Sequence, residues 1–173
     1  MMRVLNILFL LGTLVFIQGC STTSTLKGQS FYHGPASVSE DKATIYFYRP
    51  PHPIGNAVTQ NISIDGVPVG TLPDGSYFVT EVAGGTHEVV SARSNWIDGN
   101  IADAKFPLTV EVGKTYFVTQ QTSQLPYNDD RSLAPVYKGS FGLVTHYFRW
   151  ARVPQKEAEI WMQICRRSPV LKF

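Results

Sequence analysis

Asn61-Ile62-Ser63-Ile64-Asp65-Gly66-Val67-Pro68-Val69-Gly70 is the stretch whose reading decides the fold of this chain. Ile62 and Ile64 fall on one face, since side chains alternate along a strand. Asp65-Gly66 is a hairpin-turn signal, because glycine takes φ > 0 without a Cβ clash. The returning strand carries Pro68, which has no N–H for a ladder bond. That strand is therefore expected to be short or to lie at a sheet edge.

The same punctuation recurs outward from this hairpin. Upstream, Ala43-Thr44-Ile45-Tyr46-Phe47-Tyr48-Arg49 is rich in β-branched and aromatic residues and stops at Pro50-Pro51 and Pro53, which reads as a strand. Downstream, Tyr77 to Val82 runs into the turn Ala83-Gly84-Gly85-Thr86, and His87 to Ala92 leaves it. Residues 94–104, with Trp96 and Gly99, read as a loop. Leu108-Thr109-Val110-Glu111-Val112 alternates and closes at Gly113-Lys114, and Thr115 to Gln120 completes a second hairpin. Short strands at this spacing, with no run between them fit for a crossover helix, predict an all-β fold, a small antiparallel β-sandwich.

Residues 121–139 are polar, with Pro126, Asn128, Asp129, Asp130 and Pro135, and read as a long loop. Phe141 to Trp150 is expected as one final strand. From Gln155 to Arg167 the period changes. Ala158, Trp161, Met162 and Cys165 fall at i, i+3, i+4 and i+7, one apolar face of a C-terminal α-helix. Glu157 and Glu159 near its start and Arg166 and Arg167 near its end complement the helix dipole.

At the N-terminus, Arg3 precedes the apolar run Val4 to Ile17, which ends in Gln18-Gly19-Cys20. A positive start, an apolar core and small residues at the cut describe an export signal. Fourteen residues at about 1.5 Å each reach about 21 Å, short of a hydrocarbon core of about 30 Å. Ile17-Gln18-Gly19-Cys20 resembles the bacterial lipobox, with Gln18 where that pattern has a small residue. The resemblance implies diacylglyceryl transfer to the Cys20 thiol, cleavage before it, and a triacylated N-terminus. Ser21 in the next position implies the outer membrane, facing the periplasm. The expected organisation is a signal peptide over 1–19, a flexible tether over 20–41 and a sandwich over 42–120. Residues 121–173 follow as loop, last strand and helix packed on the sandwich. Phe31-Tyr32-His33 within the tether are read either as docked on the domain edge or as free.

From Ala43 to Gln120 the chain resembles the DUF2846 family of small bacterial lipoprotein domains. The residues that carry the likeness are Ile45-Tyr46-Phe47-Tyr48-Arg49-Pro50, Ile62-Ser63-Ile64-Asp65-Gly66 with Val69-Gly70, and Gly75-Ser76-Tyr77-Phe78. Gly84-Gly85-Thr86-His87 and Val112-Gly113-Lys114-Thr115-Tyr116-Phe117-Val118 continue it. The resemblance implies a PEGA-like or transthyretin-like sandwich and carries no agreed activity.

The 173-residue chain has 15 basic and 13 acidic side chains, a net charge of +2, and its basic residues are scattered. That gives no electrostatic case for nucleic acid. With two cysteines, Cys20 and Cys165, a disulfide scaffold is excluded; a lipid-linked Cys20 leaves Cys165 either to form an intermolecular disulfide or to be buried, and its place on the helical stripe favours burial. Lys138-Gly139-Ser140-Phe141-Gly142 lacks the spacing of a nucleophile elbow and precedes a strand. His33, His52, His87 and His146 show no close ligand spacing, and His87 reads as a strand-end residue. Asp129-Asp130 reads as solvated loop charge. Among Asp65, Asp74, Glu81, Glu88 and Glu111 nothing selects an acid–base pair. No enzyme activity, cofactor or metal is expected.

Aromatic residues are the remaining feature. Core packing and cross-strand pairing account for most of them; Trp96 and Tyr127 fall in loops and are the candidate ligand contacts. The expected function is a non-enzymatic, lipid-anchored accessory module of the envelope, held to the membrane through Cys20 and meeting an envelope protein through an exposed strand edge. The alternative is a module binding cell-wall glycan (peptidoglycan) through exposed aromatics. An envelope hydrolase is the outside alternative and would require a pocket holding a histidine and a carboxylate.

Overall fold

β1, Ala43–Arg49, is buried along its whole length, which explains why its residues do not alternate between apolar and polar. Ile45 and Phe47 point one way; Tyr46 and Tyr48 point the other, into separate cores. A computed structural model describes residues 26–35, 39–94 and 104–169. The further strands are β2 (Thr59–Ile64), β3 (Val67–Leu72), β4 (Ser76–Val82), β5 (Gly85–Ser94), β6 (Ala104–Val110), β7 (Thr115–Ser123), β8 (Tyr137–Phe141) and β9 (Val144–Val153). One helix, α1 (Gln155–Met162), and a two-residue strand, β10 (Arg166–Arg167), complete the described elements.

Two sheets form, a six-stranded one in the order β10-β4-β1-β7-β9-β8 and a four-stranded one in the order β3-β2-β5-β6. The β-sandwich with one C-terminal helix is therefore the architecture. Its larger sheet is mixed: β1 runs antiparallel to β4 but parallel to β7, and β10 runs parallel to β4. The Asp65-Gly66 hairpin has φ of 51° and 81° at its two central residues, the positive values of a type I′ turn. Pro68 lies on β3 and Pro107 on β6, the two edges of the smaller sheet. Edges are where a residue without an N–H does no harm to the ladder.

The inner core joins the sheets. Phe47 stacks on Phe78 with ring centres 5.2 Å apart, and Trp150 of β9 packs against both Phe47 and Phe106 at 6.4 Å and 5.9 Å. Tyr46, Tyr48, Tyr77, Phe117, Ala151 and Val153 face the opposite way. They are covered by Ala158 and Met162 of α1, by Cys165 and by Tyr32. The helix and the segment around Tyr32 thus make a third layer on the outer face of the six-stranded sheet.

Four local features differ from the sequence reading. The expected strand from Phe141 to Trp150 is a hairpin, β8–β9, turning at Gly142 with φ of 64°. β8 also takes Tyr137, so the loop expected over 121–139 is shorter at both ends. The helix stops at Met162, and Arg166-Arg167 pairs with β4 instead of prolonging it. Trp161, expected on the buried stripe, is half exposed, while Ala158, Met162 and Cys165 are fully buried.

Part of the segment expected as a tether over 20–41 is docked. Leu26 and Tyr32 are buried; the Tyr32 N–H donates to the Cys165 carbonyl at 3.2 Å, and the Arg167 N–H donates to the Ser30 carbonyl at 2.8 Å. Cys20 and Trp96 lie outside the described residues.

Candidate functional site

The third layer leaves part of the six-stranded sheet uncovered, because α1 is only eight residues long. Beside it opens a pocket of about 380 Å³. Thr119 and Gln121 of β7 and Arg149 of β9 help form its floor. Pro50, Pro51 and His52 make one wall, and Tyr127, Asp129 and Arg131 of the β7–β8 connection make another. Trp161 of α1 stands at the rim.

Each wall has an identifiable support. Arg49, at the end of β1, donates from both terminal nitrogens to the carbonyls of Val58 and Gly55, at 2.5 Å each, and so pins the segment after Pro53. Asp74 accepts from the backbone N–H of His52 at 3.1 Å and lies 3.8 Å from Arg49. Burial dominates at both groups, lowering the Arg49 pKa and raising that of Asp74, and their mutual attraction opposes both shifts.

Arg149 organises the other wall. The residue is 3 % exposed, and its guanidinium lies 3.8 Å over the Tyr127 ring, a cation–π stack. It donates through Nε to Gln121 Oε1 at 2.8 Å and in a two-pronged fashion to the Asp129 carboxylate. Arg131 adds a third cation, bonded to Asp129 at 3.1 Å and to Glu157 of α1 at 2.6 Å. The loop is thereby tied to β9 and the helix together. The bond from Arg149 holds the Asp129 carboxyl well below the usual carboxylate range. Burial pushes the Tyr127 phenol up to about 12, against the pull of Arg149. Its hydroxyl has no hydrogen-bond partner among the described residues.

A histidine and a carboxylate, His52 and Asp129, do line this pocket. Asp129 is already the acceptor for two guanidiniums, and His52 Nδ1 accepts the Ile54 N–H at 3.1 Å. Their lone pairs are engaged in holding the walls. A second depression, of about 550 Å³, lies past Arg131 towards Arg152 and Pro154. Tyr116 and Phe117 line it, but it lacks the buried Arg149 and the His52 of the first. Among the described residues no group of three or more His, Cys, Asp or Glu is placed to hold a metal, and no helix is long and apolar enough to cross a membrane.

Of the residues singled out in the sequence, Tyr127 lies in this pocket, half-buried. His87 lies elsewhere: its Nδ1 meets Asp65 Oδ2 at 2.6 Å and its Nε2 meets the Ala83 carbonyl at 2.9 Å. It clamps the Asp65-Gly66 turn to the β4–β5 turn. Arg149 and Trp161 were missed as pocket residues. A cation set directly between Phe148 and Trp150 was the available signal for Arg149.

Sandwich, outer helix and pocket together define a β-domain with a built recess on its helix-covered face. The chain belongs to the family described as protein of unknown function DUF2846, whose family model matches residues 39–134. That match takes in β1 to β7 and the loop bearing Tyr127, Asp129 and Arg131, while Arg149 and Trp161 come from elements beyond it. No curated protein and no solved structure matches the chain.

Proposed function

We propose that this protein is a lipid-anchored, non-enzymatic binding module of the bacterial envelope, attached through an acylated Cys20 and receiving a partner at the pocket beside α1. Outer-membrane attachment facing the periplasm is the reading that Ser21 favours. The observation that carries the binding role is the way the pocket's charges are spent. Asp129, Arg131 and Arg149 bond to one another and to Gln121 and Glu157, so the site is rigid before any ligand arrives. A carboxylate held this far below its ordinary range is a poor proton acceptor, which favours recognition over acid–base work. Preformed walls reduce the ordering cost of association.

The test is a photo-crosslinking residue at Thr122, which lines the pocket, compared in living cells with the same residue at exposed Val67 on β3. One product specific to position 122 supports the reading, and its loss in Trp161→Ala strengthens it. Equal products at both positions sink it. Acyl labelling of the intact chain and of Cys20→Ser tests the anchor separately.

A second reading is a cell-wall glycan site. Tyr127 and Trp161 line the same pocket, and aromatic faces set among fixed planar polar groups suit sugar rings. Co-sedimentation with purified peptidoglycan distinguishes it: binding that Trp161→Ala abolishes favours glycan over a protein partner.

A further inference from the structure

The outer layer carries apolar side chains that no described residue covers. Ile160 is 67 % exposed and Ile164 is 49 % exposed, on and just past the solvent side of α1. Phe31, also exposed, is joined to the same layer by its bridge to Arg166, whose guanidinium lies 4.1 Å over the Phe31 ring. Lys27, Lys156 and Arg167 are exposed around them. The acidic groups nearby are Glu157 and Glu159; the first is bonded to Arg131 and the second accepts from Gln155 at 2.8 Å. An apolar strip edged by cations that outnumber its carboxylates, Glu157 being paired with Arg131 and Glu159 bonded to a neutral amide, has the chemistry of a surface that rests on anionic lipid.

Chain length says which surface that is. Only residues 21–25 separate Cys20 from Leu26, and Leu26 is buried in the domain. Six Cα-to-Cα steps span at most about 22 Å. A domain of about 150 residues has a radius of gyration near 15 Å and is about 40 Å across. The leash is shorter than the body it holds. Ser30 and Tyr32, just after the leash, bond to Arg167 and Cys165 beside the end of α1.

We infer that the face formed by Ile160, Ile164, Phe31, Arg166 and Arg167 docks on the membrane surface, with the four-stranded sheet turned away from it. This rests on acylation of Cys20, as proposed above. Trp161 stands between this face and the pocket, so the pocket opens close to the headgroup layer.

The full-length chain, with its N-terminal mass measured, is reconstituted in vesicles of phosphatidylethanolamine and phosphatidylglycerol. An environment-sensitive fluorophore is placed on Ile160→Cys, Ile164→Cys or Val67→Cys, and quenching by lipid-borne nitroxide is read at each. With Cys20 acylated, several-fold stronger quenching at 160 and 164 than at 67 is expected. Unchanged circular dichroism and melting for each labelled variant guard against misfolding, and Lys156→Cys serves as a second helix position expected to follow 160. Equal quenching at all positions in an acylated protein overturns the docking face and leaves the anchor intact. Quenching at 160 and 164 that falls as protein density in the vesicle rises marks a second copy on this face and also overturns it. An N-terminal mass without acyl chains overturns both the anchor and the docking face.

Discussion

Gly70 offers the sharpest check on the packing. It is buried on β3, and a Cβ built on it would sit 2.8 Å from two carbons of the Phe78 ring and 2.9 Å from a third. Carbon contacts settle at about 3.5–4.0 Å, so Gly70→Ala requires a separation of roughly 0.7 Å or more. The ring cannot yield freely, because it stacks on Phe47, which in turn packs on Trp150. Overpacking a close-packed site costs about 1–3 kcal/mol, and for a chain of this size that lowers the melting temperature by about 2–12 °C. Thermal unfolding followed by circular dichroism, with urea titration for the free energy, reads it. In the Gly70→Ala background, Phe78→Leu should do less harm than it does alone, since the smaller side chain makes room for the methyl. A Gly70→Ala protein that melts like the parent, or effects at 70 and 78 that simply add, would refute the claim that the ring forbids a side chain here.

Other predictions follow from the same structure. The bond to Asp65 raises the His87 pKa, and the bond from His87 lowers that of Asp65. The raised His87 contributes stability in full below its unfolded value of about 6.5 and loses it as pH rises through the folded value. The depressed Asp65 contributes above about 3.9 and loses its share as pH falls through its folded value. Melting temperature should therefore fall, as pH rises above about 6.5, more in the parent than in His87→Ala, and parallel curves would contradict the clamp. Burial pushes the Cys165 thiol up to about 12, so a maleimide should leave it untouched in native protein and modify it in denaturant; rapid native labelling by mass spectrometry would contradict the packing. Arg149→Lys should lower stability and weaken pocket-specific crosslinking together, because one ammonium cannot serve Asp129, Gln121 and the Tyr127 face at once; unchanged melting would count against the role given to Arg149.

The sandwich strands were legible because each carries its own local signal. Glycine and proline mark the ends of β1, β2 and β3, and alternation marks β6. The parallel pairing of β1 with β7 had no such signal, since it depends on contacts between distant segments. Gly142 was readable as a break, but the apolar residues on either side outweighed it. The helical stripe was followed past Met162 because Cys165 continued its spacing. In the fold, Cys165 is buried by a turn back toward β4, which hydropathy does not encode. The pocket was half legible: Tyr127 stood out as a loop aromatic. Arg149 and Trp161 acquire their meaning only when β9 and α1 are laid over β7.

The double burial of β1 has a consequence for how the chain is built. The first strand to emerge during synthesis is the central one, yet neither of its neighbours is next in line. Thr44 must wait for Glu81 on one side and Thr115 on the other, and the two faces of its strand are completed only by Trp150 and Met162. Pairings this distant in sequence form slowly. β1 therefore has its full set of neighbours only when nearly the whole chain exists.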